Sequence, residues 1–488
     1  MGARYFKLGP VALLLGAGIV SGCGNNNNSG PPPTVSFTSP ASATTINYGQ
    51  TVALAWTSTN AGMCTASTVT GGGNFAGNET ISGSASVAPT APGTVSYTLT
   101  CSGPGGTTSV TSPTITVNPN ILSTLSVANI TQIGNTFTTT AGGLNPYGLA
   151  IAPATTGPLI SAGDLIACNF NDLATNTQGN GTTIVGLHPT ASANAGGNPY
   201  LIANDPSLLG CNALTLLPDD TISASAYNAN LNPFVSPTGV VSNPFPSGSF
   251  GLPWGETYAP ANGSQPAALY VSNVGSGSNA SIVRIPLGGA NGDTPGTITE
   301  IATGFCGGGS PGAIYAPSGL TYDPSVDTLY IVDTASYSVV AFANVSSIGL
   351  DGVLVNGSCT AAVAGGYAPG TVTPTPALQF SGPSAVSATV LASPASVPAF
   401  DAPISAALLS DGDLIVGNGD IDAGADPTQY NQVFEVSPAL GVIAGPVQLD
   451  STGTPGALFG IAATVDSSGN QLVYFNDDNT STVNLLSK

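Results

Sequence analysis

Short stretches of alternating hydrophobic and polar residues recur along most of this chain. The alternation is clear in Thr51–Trp56 and Val95–Cys101, and clusters of Gly, Pro and Asn separate such stretches from one another. A period of two places the apolar side chains on one face of a β-strand. The pattern therefore predicts an all-β protein.

A longer repeat begins at about residue 119. Each copy has an apolar strand, a turn, and a second strand that usually ends in Asn or Asp. The clearest copy runs from Pro317 to Asp333, and the others begin at Pro146, Cys211, Pro253, Pro403 and Leu458. One small sheet cannot bury both of its faces, but several sheets stacked radially can. The repeat predicts a β-propeller over residues 119–488.

The Pro317 copy reads Pro-Ser-Gly-Leu-Thr-Tyr-Asp, then Leu-Tyr-Ile-Val-Asp. It resembles the NHL-type propeller repeat, Pro-x-Gly-apolar-Ala-x-Asp followed by Leu-Tyr-Val-x-Asp. We expect six blades, or seven if the gap between Asp333 and Pro403 contains another. Residues 121–140 are expected to supply an outer strand that closes the ring against the C-terminal blade.

Residues 34–118 form a separate region of alternating stretches. Trp56, Cys64 and the segment Tyr97–Cys101 resemble bacterial immunoglobulin-like domains, although Tyr97 lies four residues before the cysteine and not two. The resemblance implies a sandwich in which a buried Trp packs near a disulfide joining two sheets. We therefore expect an all-β chain, with an immunoglobulin-like sandwich that is a spacer or adhesion module followed by a six-bladed β-propeller.

The start of the chain resembles a bacterial lipoprotein signal. Arg4 and Lys7 precede an apolar stretch, residues 8–20, that is too short to span a bilayer. Val-Ser-Gly before Cys23 resembles a lipobox, which implies cleavage after residue 22 and a lipid, such as palmitate, on Cys23. Residues 23–33 then read as a flexible linker. Gly24 in place of Asp implies sorting to the outer membrane or cell surface.

Composition excludes several classes of partner. Without residues 1–22, only Arg284 and Lys488 oppose 24 carboxylates, a formal charge of −22. Nucleic acids and anionic lipid surfaces require clustered basic side chains. The expected partners are neutral or cationic: a glycan, a peptide or an envelope protein. We expect the chain itself to be a monomer.

Six cysteines remain when Cys23 is assigned to the lipid. An even number in an exported chain predicts disulfides, of which 15 connectivities are conceivable. Pairing of nearest neighbours gives three bridges: Cys64–Cys101, Cys168–Cys211 and Cys306–Cys359.

Candidate chemistry lies at the ends of the second strands. Their Asx residues are expected around one mouth of the central channel, where they could bind a cation or sugar hydroxyls: Asn169, Asn273, Asp333, Asn418 and Asn476. Alternatively, each Asx caps its own turn. Glu256 in a first strand could act as a general base or ligand.

One loop has alternating acids, Asp420, Asp422 and Asp426, that could converge on Ca²⁺. Asn431 stands where a calcium-binding hand has its bidentate Glu, so we expect weak calcium binding or a solvated acidic loop. His188 is the only histidine and precedes Pro189, which predicts a surface residue.

These observations favour a cell-surface lipoprotein that binds or scaffolds through the propeller mouth. The alternative is a calcium-assisted, lactonase-like hydrolase or lyase that acts at the same mouth.

The anchoring hypothesis predicts the behaviour of Cys23→Ser. Because a serine cannot carry the thioether-linked lipid, the variant should leave the membrane fraction or accumulate with its signal uncleaved. Fractionation and mass spectrometry of the N-terminus measure both. Normal processing with full membrane retention would refute lipidation at this residue.

Overall fold

The computed structural model describes residues 30–488 except 141, 156–157, 190–198, 290–291, 312, 358–377, 395, 397–399, 401, 419–429, 452–453 and 455. Within these residues the regular structure is β-strand with short 3₁₀ turns at Leu122–Thr124, Pro206–Leu208, Val345–Ser347 and Ala385–Ser387. The described part contains no helix long and apolar enough to cross a membrane. The prediction of an all-β protein is confirmed.

The N-terminal strands form three sheets. Their order is β1-β3-β6, β2-β10-β7 and β5-β4-β8-β9. The strands are β1 (Thr34–Ser39), β2 (Thr44–Asn47), β3 (Val52–Thr59), β4 (Met63–Ala66), β5 (Gly77–Glu79), β6 (Gly83–Val87), β7 (Gly93–Val95), β8 (Thr98–Gly103), β9 (Gly106–Thr111) and β10 (Ile115–Asn118).

The N-terminal sheets enclose their own hydrophobic core. Phe75 packs between Trp56 and Tyr97, with ring centroids 5.4 and 5.7 Å away. The predicted Cys64–Cys101 disulfide is confirmed. Its position differs from the expectation, since the two cysteines face each other on the paired strands β4 and β8. The bridge therefore reinforces one sheet and does not join two.

The remaining chain forms a succession of antiparallel sheets, as expected for a β-propeller. The first sheet contains β12 (Leu144–Ile151), β13 (Leu165–Asn171), β14 (Thr183–Leu187) and β15 (Tyr200–Asn204). The second sheet contains β16 (Cys211–Leu216), β17 (Ile222–Ala226), β18 (Phe234–Val235) and β19 (Val241–Ser242). The third sheet contains β20 (Pro253–Ala259), β21 (Ala268–Asn273), β22 (Gly277–Gly288) and β24 (Thr299–Ser310). The third sheet is extended by β23 (Thr294–Pro295), β25 (Ala313–Tyr315), β29 (Val353–Asn356) and β30 (Gln379–Ser381).

The later sheets follow the same order. The fourth sheet contains β26 (Pro317–Asp323), β27 (Thr328–Asp333), β28 (Ser338–Ala343) and β31 (Ala388–Ala392). The fifth sheet contains β32 (Pro403–Leu408), β33 (Leu414–Asn418), β34 (Gln432–Ser437) and β35 (Gly441–Gln448). The last sheet contains β36 (Ala457–Val465), β37 (Gln471–Asp477) and β38 (Thr482–Ser487), together with β11 (Ser126–Asn135).

The sheets are arranged in a ring. The first strand of each sheet contacts the first strand of the next, and β36 contacts β12. β11 pairs antiparallel with β38, so a strand from before the first repeat completes the last sheet. The expectation for residues 121–140 is confirmed.

Small residues allow the first strands to approach one another closely. A Cβ atom on Gly255 would lie 1.9 Å from the carbonyl oxygen of Ser318 on the neighbouring strand. One on Gly460 would lie 2.4 Å from the carbonyl oxygen of Tyr147, and one on Gly319 would lie 2.9 Å from that of Ile404. Backbone packing around the central axis therefore requires glycine at this position of the repeat, both in the Pro-x-Gly copies with Gly255 and Gly319 and in the Leu-Phe-Gly460 copy.

This packing predicts the effect of Gly255→Ala. The new methyl group would collide with backbone, which cannot move aside as a flexible side chain can, so unfolding should become easier by about 1–3 kcal/mol. Chemical denaturation of the purified protein measures the difference. Gly349→Ala is the matched control, because a Cβ there meets nothing within 4 Å. Equal stability of the two variants would show that the first strands are not tightly packed.

Candidate functional site at the propeller mouth

The ends of the first two strands of each repeat define one face of the propeller, here called the mouth face. At this face Pro146 pairs with Asn169, and the same arrangement recurs in Pro253–Asn273, Pro317–Asp333 and Pro403–Asn418. Asn476 lies one residue before Asp477, which pairs with Ala457. The structure thus places the five predicted Asx residues on one face.

The side chains of these Asx residues are buried among the strands. The Asn169 amide donates to Thr183 Oγ1 at 3.0 Å, and the Asn476 amide donates to the carbonyl oxygens of Tyr147 and Gly148 at 3.2 and 3.1 Å. Asp333 accepts a 2.5 Å hydrogen bond from Ser336. None of the five lines the central cavity. Of these contacts, the Ser336–Asp333 hydrogen bond is the one within the residue's own turn, whereas Asn169 bonds to the paired strand and Asn476 to a neighbouring sheet.

Glu256 is the predicted site residue that does line the central cavity. Its carboxyl group accepts hydrogen bonds from Ser225 Oγ at 3.2 Å and from Asn232 Nδ2 at 3.1 Å, both in the preceding sheet. Burial raises the pKa of Glu256 to about 8, although hydrogen bonds from Ser223 and Ser225 partly offset the shift. At neutral pH this carboxyl group is therefore mostly protonated, which makes it a poor anionic ligand. Its hydrogen bonds to Ser225 and Asn232 connect two neighbouring sheets.

The central cavity is small. First-strand residues surround a volume of about 70 Å³. Sites for small organic molecules usually occupy about 300–1,000 Å³. The cavity can therefore hold a few water molecules but not a sugar lactone or a peptide.

Aromatic rings pack together at the mouth-face end of this cavity, where Tyr147, Trp254 and Phe459 line it. The Tyr147 ring is stacked between those of Phe170 and Phe459, with centroids 4.3 and 3.8 Å away. Trp254 meets Tyr147, Phe170 and Tyr227 edge to face at 6.0, 5.8 and 5.4 Å. All except Phe459 are at most 5% exposed. The alternation of the sequence does not predict this cluster, because its members come from separate repeats.

His188 is not an ordinary surface residue, contrary to the expectation. Its Nδ1 lies 2.5 Å from Asp164 Oδ1, and its side chain is 25% exposed. Asp164 also accepts hydrogen bonds from the Tyr200 hydroxyl at 2.6 Å and the Ser161 amide at 2.9 Å. Burial, together with Asp164, raises the pKa of Tyr200. Because Asp164 follows the turn after β12, this group lies on the face opposite the mouth, where it stabilises the turn.

The cysteine predictions have different outcomes. Cys168 and Cys211 are buried thiols, so the bridge predicted between them is wrong for this structure. They do lie in contact across two neighbouring sheets, where burial, and then a hydrogen bond with Cys168, raises the pKa of the Cys211 thiol. The strands hold the sulfur atoms of Cys168 and Cys211 close enough for a hydrogen bond but too far apart for a disulfide bond. Cys306 is disulfide-bonded, and its predicted partner Cys359 lies outside the described residues.

Two further predictions fall outside the described residues. They concern the lipidation site Cys23 and the acidic loop with Asp420, Asp422 and Asp426.

The environment of Glu256 predicts a pH dependence of stability. The unfolded chain releases this proton at about pH 4.3, whereas the folded chain retains it up to about pH 8. Between these values the folded state binds more protons, so stability should fall as the pH rises. Glu256→Gln should flatten this slope, as measured by urea denaturation across the range. Glu300→Gln, at a partly exposed carboxyl group, should leave the slope unchanged. Asp413 and Glu435 also have raised pKa values and keep part of the slope in every variant, so a slope in Glu256→Gln as steep as that of the parent would contradict the assignment.

Comparisons with known proteins find propeller-type structures. No family profile and no curated protein matches the chain. A gluconolactonase from Xanthomonas campestris is 11% identical with a TM-score of 0.44, covering 73% of this chain and 88% of that one. The calcium-binding protein regucalcin from Agrobacterium tumefaciens is 13% identical with a TM-score of 0.43, covering 70% and 90%. Virginiamycin B lyase from Staphylococcus aureus is 12% identical with a TM-score of 0.38, covering 74% and 99%.

Proposed function

We propose that this chain is a lipid-anchored envelope protein that acts as a binding or scaffolding module. The propeller would bind its partner with the rim and loops of the mouth face. The observation that carries this proposal is the narrow mouth, where stacked aromatic rings pack beside a cavity of only about 70 Å³. A partner that contacts the rim needs no cavity, whereas a small substrate does.

The charge of the chain limits the chemistry of the partner. After removal of residues 1–22, 24 acidic side chains oppose two basic ones, so the net charge of the protein repels anions. A neutral glycan, a neutral or basic peptide, or a protein with a basic face fits this surface. Nucleic acid does not.

The proposed architecture follows the same reasoning. We assign a six-bladed propeller to the succession of sheets and an immunoglobulin-like spacer to residues 34–118. The first strands that contact around the ring support the blade number, and the separate core of the N-terminal sheets supports the spacer. Cys23 would anchor the chain in the outer membrane, with residues 24–33 as a linker that holds the folded part away from the lipid surface.

The hydrolase or lyase alternative has weaker support. Its strongest observation is Glu256, a buried carboxyl group at the central cavity. That carboxyl group already accepts hydrogen bonds from Ser225 and Asn232. A catalytic role would require it to ionise and turn toward a substrate for which the cavity has no room.

Site-specific photo-crosslinking in the native envelope tests the binding proposal. A photoreactive amino acid at Ala174, exposed in the loop between β13 and β14, reports contacts of the mouth face. The same amino acid at Val326, 56% exposed in the turn between β26 and β27, reports the opposite face. We expect a discrete adduct from position 174 that excess unlabelled protein suppresses, and a much weaker one from position 326.

Two results would overturn the proposal. One is equal crosslinking from both positions, or none from either. The other is calcium-dependent turnover of lactone substrates that Glu256→Gln abolishes, which would establish the enzyme alternative.

A further inference from the structure

Three carboxyl groups converge on the face opposite the mouth. Asp411 and Asp413 lie in the turn between β32 and β33, and Glu435 lies in β34 of the same sheet. One oxygen from each lies within 4.8 Å of the others. Asp413 is 2% exposed and Glu435 is fully buried. The ion pair found within the described residues is His188–Asp164, so no basic side chain there neutralises these three acids.

The cluster lies where the N-terminal region meets the propeller. The backbone amides of Ile121 and Leu122 donate to the two oxygens of Glu435 at 3.0 and 2.5 Å. The Gln50 side chain donates to the Asp411 carbonyl at 2.7 Å. Gly49 accepts a 2.8 Å hydrogen bond from Ser437, beside Asp413. Segments 49–50 and 120–122 therefore both reach the acidic cluster.

Oxygen atoms within the cluster are left without hydrogen bonds. Asp411 Oδ2 and Asp413 Oδ2 are buried and have no hydrogen-bond partner. The Ser437 hydroxyl is close to Asp413, but its hydrogen is directed to the carbonyl oxygen of Gly49. Burying an unpartnered carboxylate is costly unless a proton or a cation compensates its charge.

The acids also disfavour one another's ionisation. Burial, and then the charges of Asp411 and Glu435, raises the pKa of Asp413 to about 8. Burial likewise raises the pKa of Glu435 to about 7, against the hydrogen bonds from Leu122 and Ile121. The three carboxyl groups thus lie close together in a buried position, and no basic side chain of the described residues pairs with them.

We propose that Asp411, Asp413 and Glu435 bind a calcium ion that fastens segments 49–50 and 120–122 to the propeller. The donor set consists of oxygen atoms alone, which suits a hard cation. Ligands at about 2.3–2.6 Å from Ca²⁺ are at most about 4.6–5.2 Å apart, and the three carboxyl oxygens meet that limit. Ca²⁺ also accepts irregular geometry, whereas Mg²⁺ retains several waters in a regular octahedron.

This site lies on the face opposite the mouth, and its three carboxyl groups are not those of the acidic residues at 420–426. Its function is structural, because it would fix how the N-terminal region is attached to the propeller. The test is therefore independent of whether the mouth face binds a partner.

Calcium titration of the full-length protein, after removal of metal by a chelator, tests the proposal at neutral pH. We expect one calcium per chain by isothermal titration, a rise in melting temperature with calcium, and slower amide hydrogen exchange at residues 119–125. Asp413→Asn should weaken calcium binding by more than about tenfold, because one ligand charge is lost. Without calcium the same variant should melt no lower than the parent, because it also removes repulsion.

Asp466→Asn is the matched control. Asp466 lies in the corresponding turn between β36 and β37, where it accepts hydrogen bonds from Ser468 and Asn470. It should retain the calcium response of the parent. Asp411→Asn, at a partly exposed position, gives a second test if Asp413→Asn fails to fold.

Three outcomes would overturn the proposal. The parent could show no calcium response at millimolar concentration, which would indicate that protons alone neutralise the cluster. Both Asp→Asn variants at the cluster could bind calcium as the parent does. Binding could instead disappear when Asp420, Asp422 and Asp426 are all replaced by Asn and persist in Asp413→Asn, which would place the ion in the acidic loop.

Discussion

Around the central axis, the backbone of one first strand lies so close to the next that a methyl group does not fit between them at Gly255 or Gly460. This approach sets the width of the ring and leaves a cavity of about 70 Å³. It also brings side chains from distant repeats together at the mouth face, where Tyr147 packs against Phe459. The narrow axis and the aromatic cluster are thus two results of the same backbone packing.

Local pattern predicted the elements that depend on neighbours in sequence. The proline that begins a first strand and the Asx that ends the second face each other in the structure, as in Pro317–Asp333. The Cys64–Cys101 bridge also follows from proximity in the chain. These features could be predicted from the sequence because each repeat has its own turn residues and its own alternation of apolar and polar residues.

The remaining features depend on contacts between repeats, which alternation does not encode. Glu435 is an unremarkable residue in an alternating strand, and only sheet register brings it beside Ile415 and the Asp411–Asp413 turn. Cys168 and Cys211 illustrate the same limit, because the sequence indicated their adjacency but not the separation of their sulfur atoms. His188 was misjudged since its partner Asp164 belongs to a preceding turn.

The pairing of β11 with β38 has a consequence for how the molecule is made. These strands come from opposite ends of the propeller sequence, with Gln132 opposite Asn484. During synthesis the N-terminal partner emerges first, and its edge remains unpaired until nearly the whole chain has been released. The propeller cannot complete its last sheet one repeat at a time, because that sheet requires both termini together. Closure is therefore a late, long-range step, which is the slow kind in folding. Until then β11 is an open strand edge that chaperones, or another copy of the chain, could occupy.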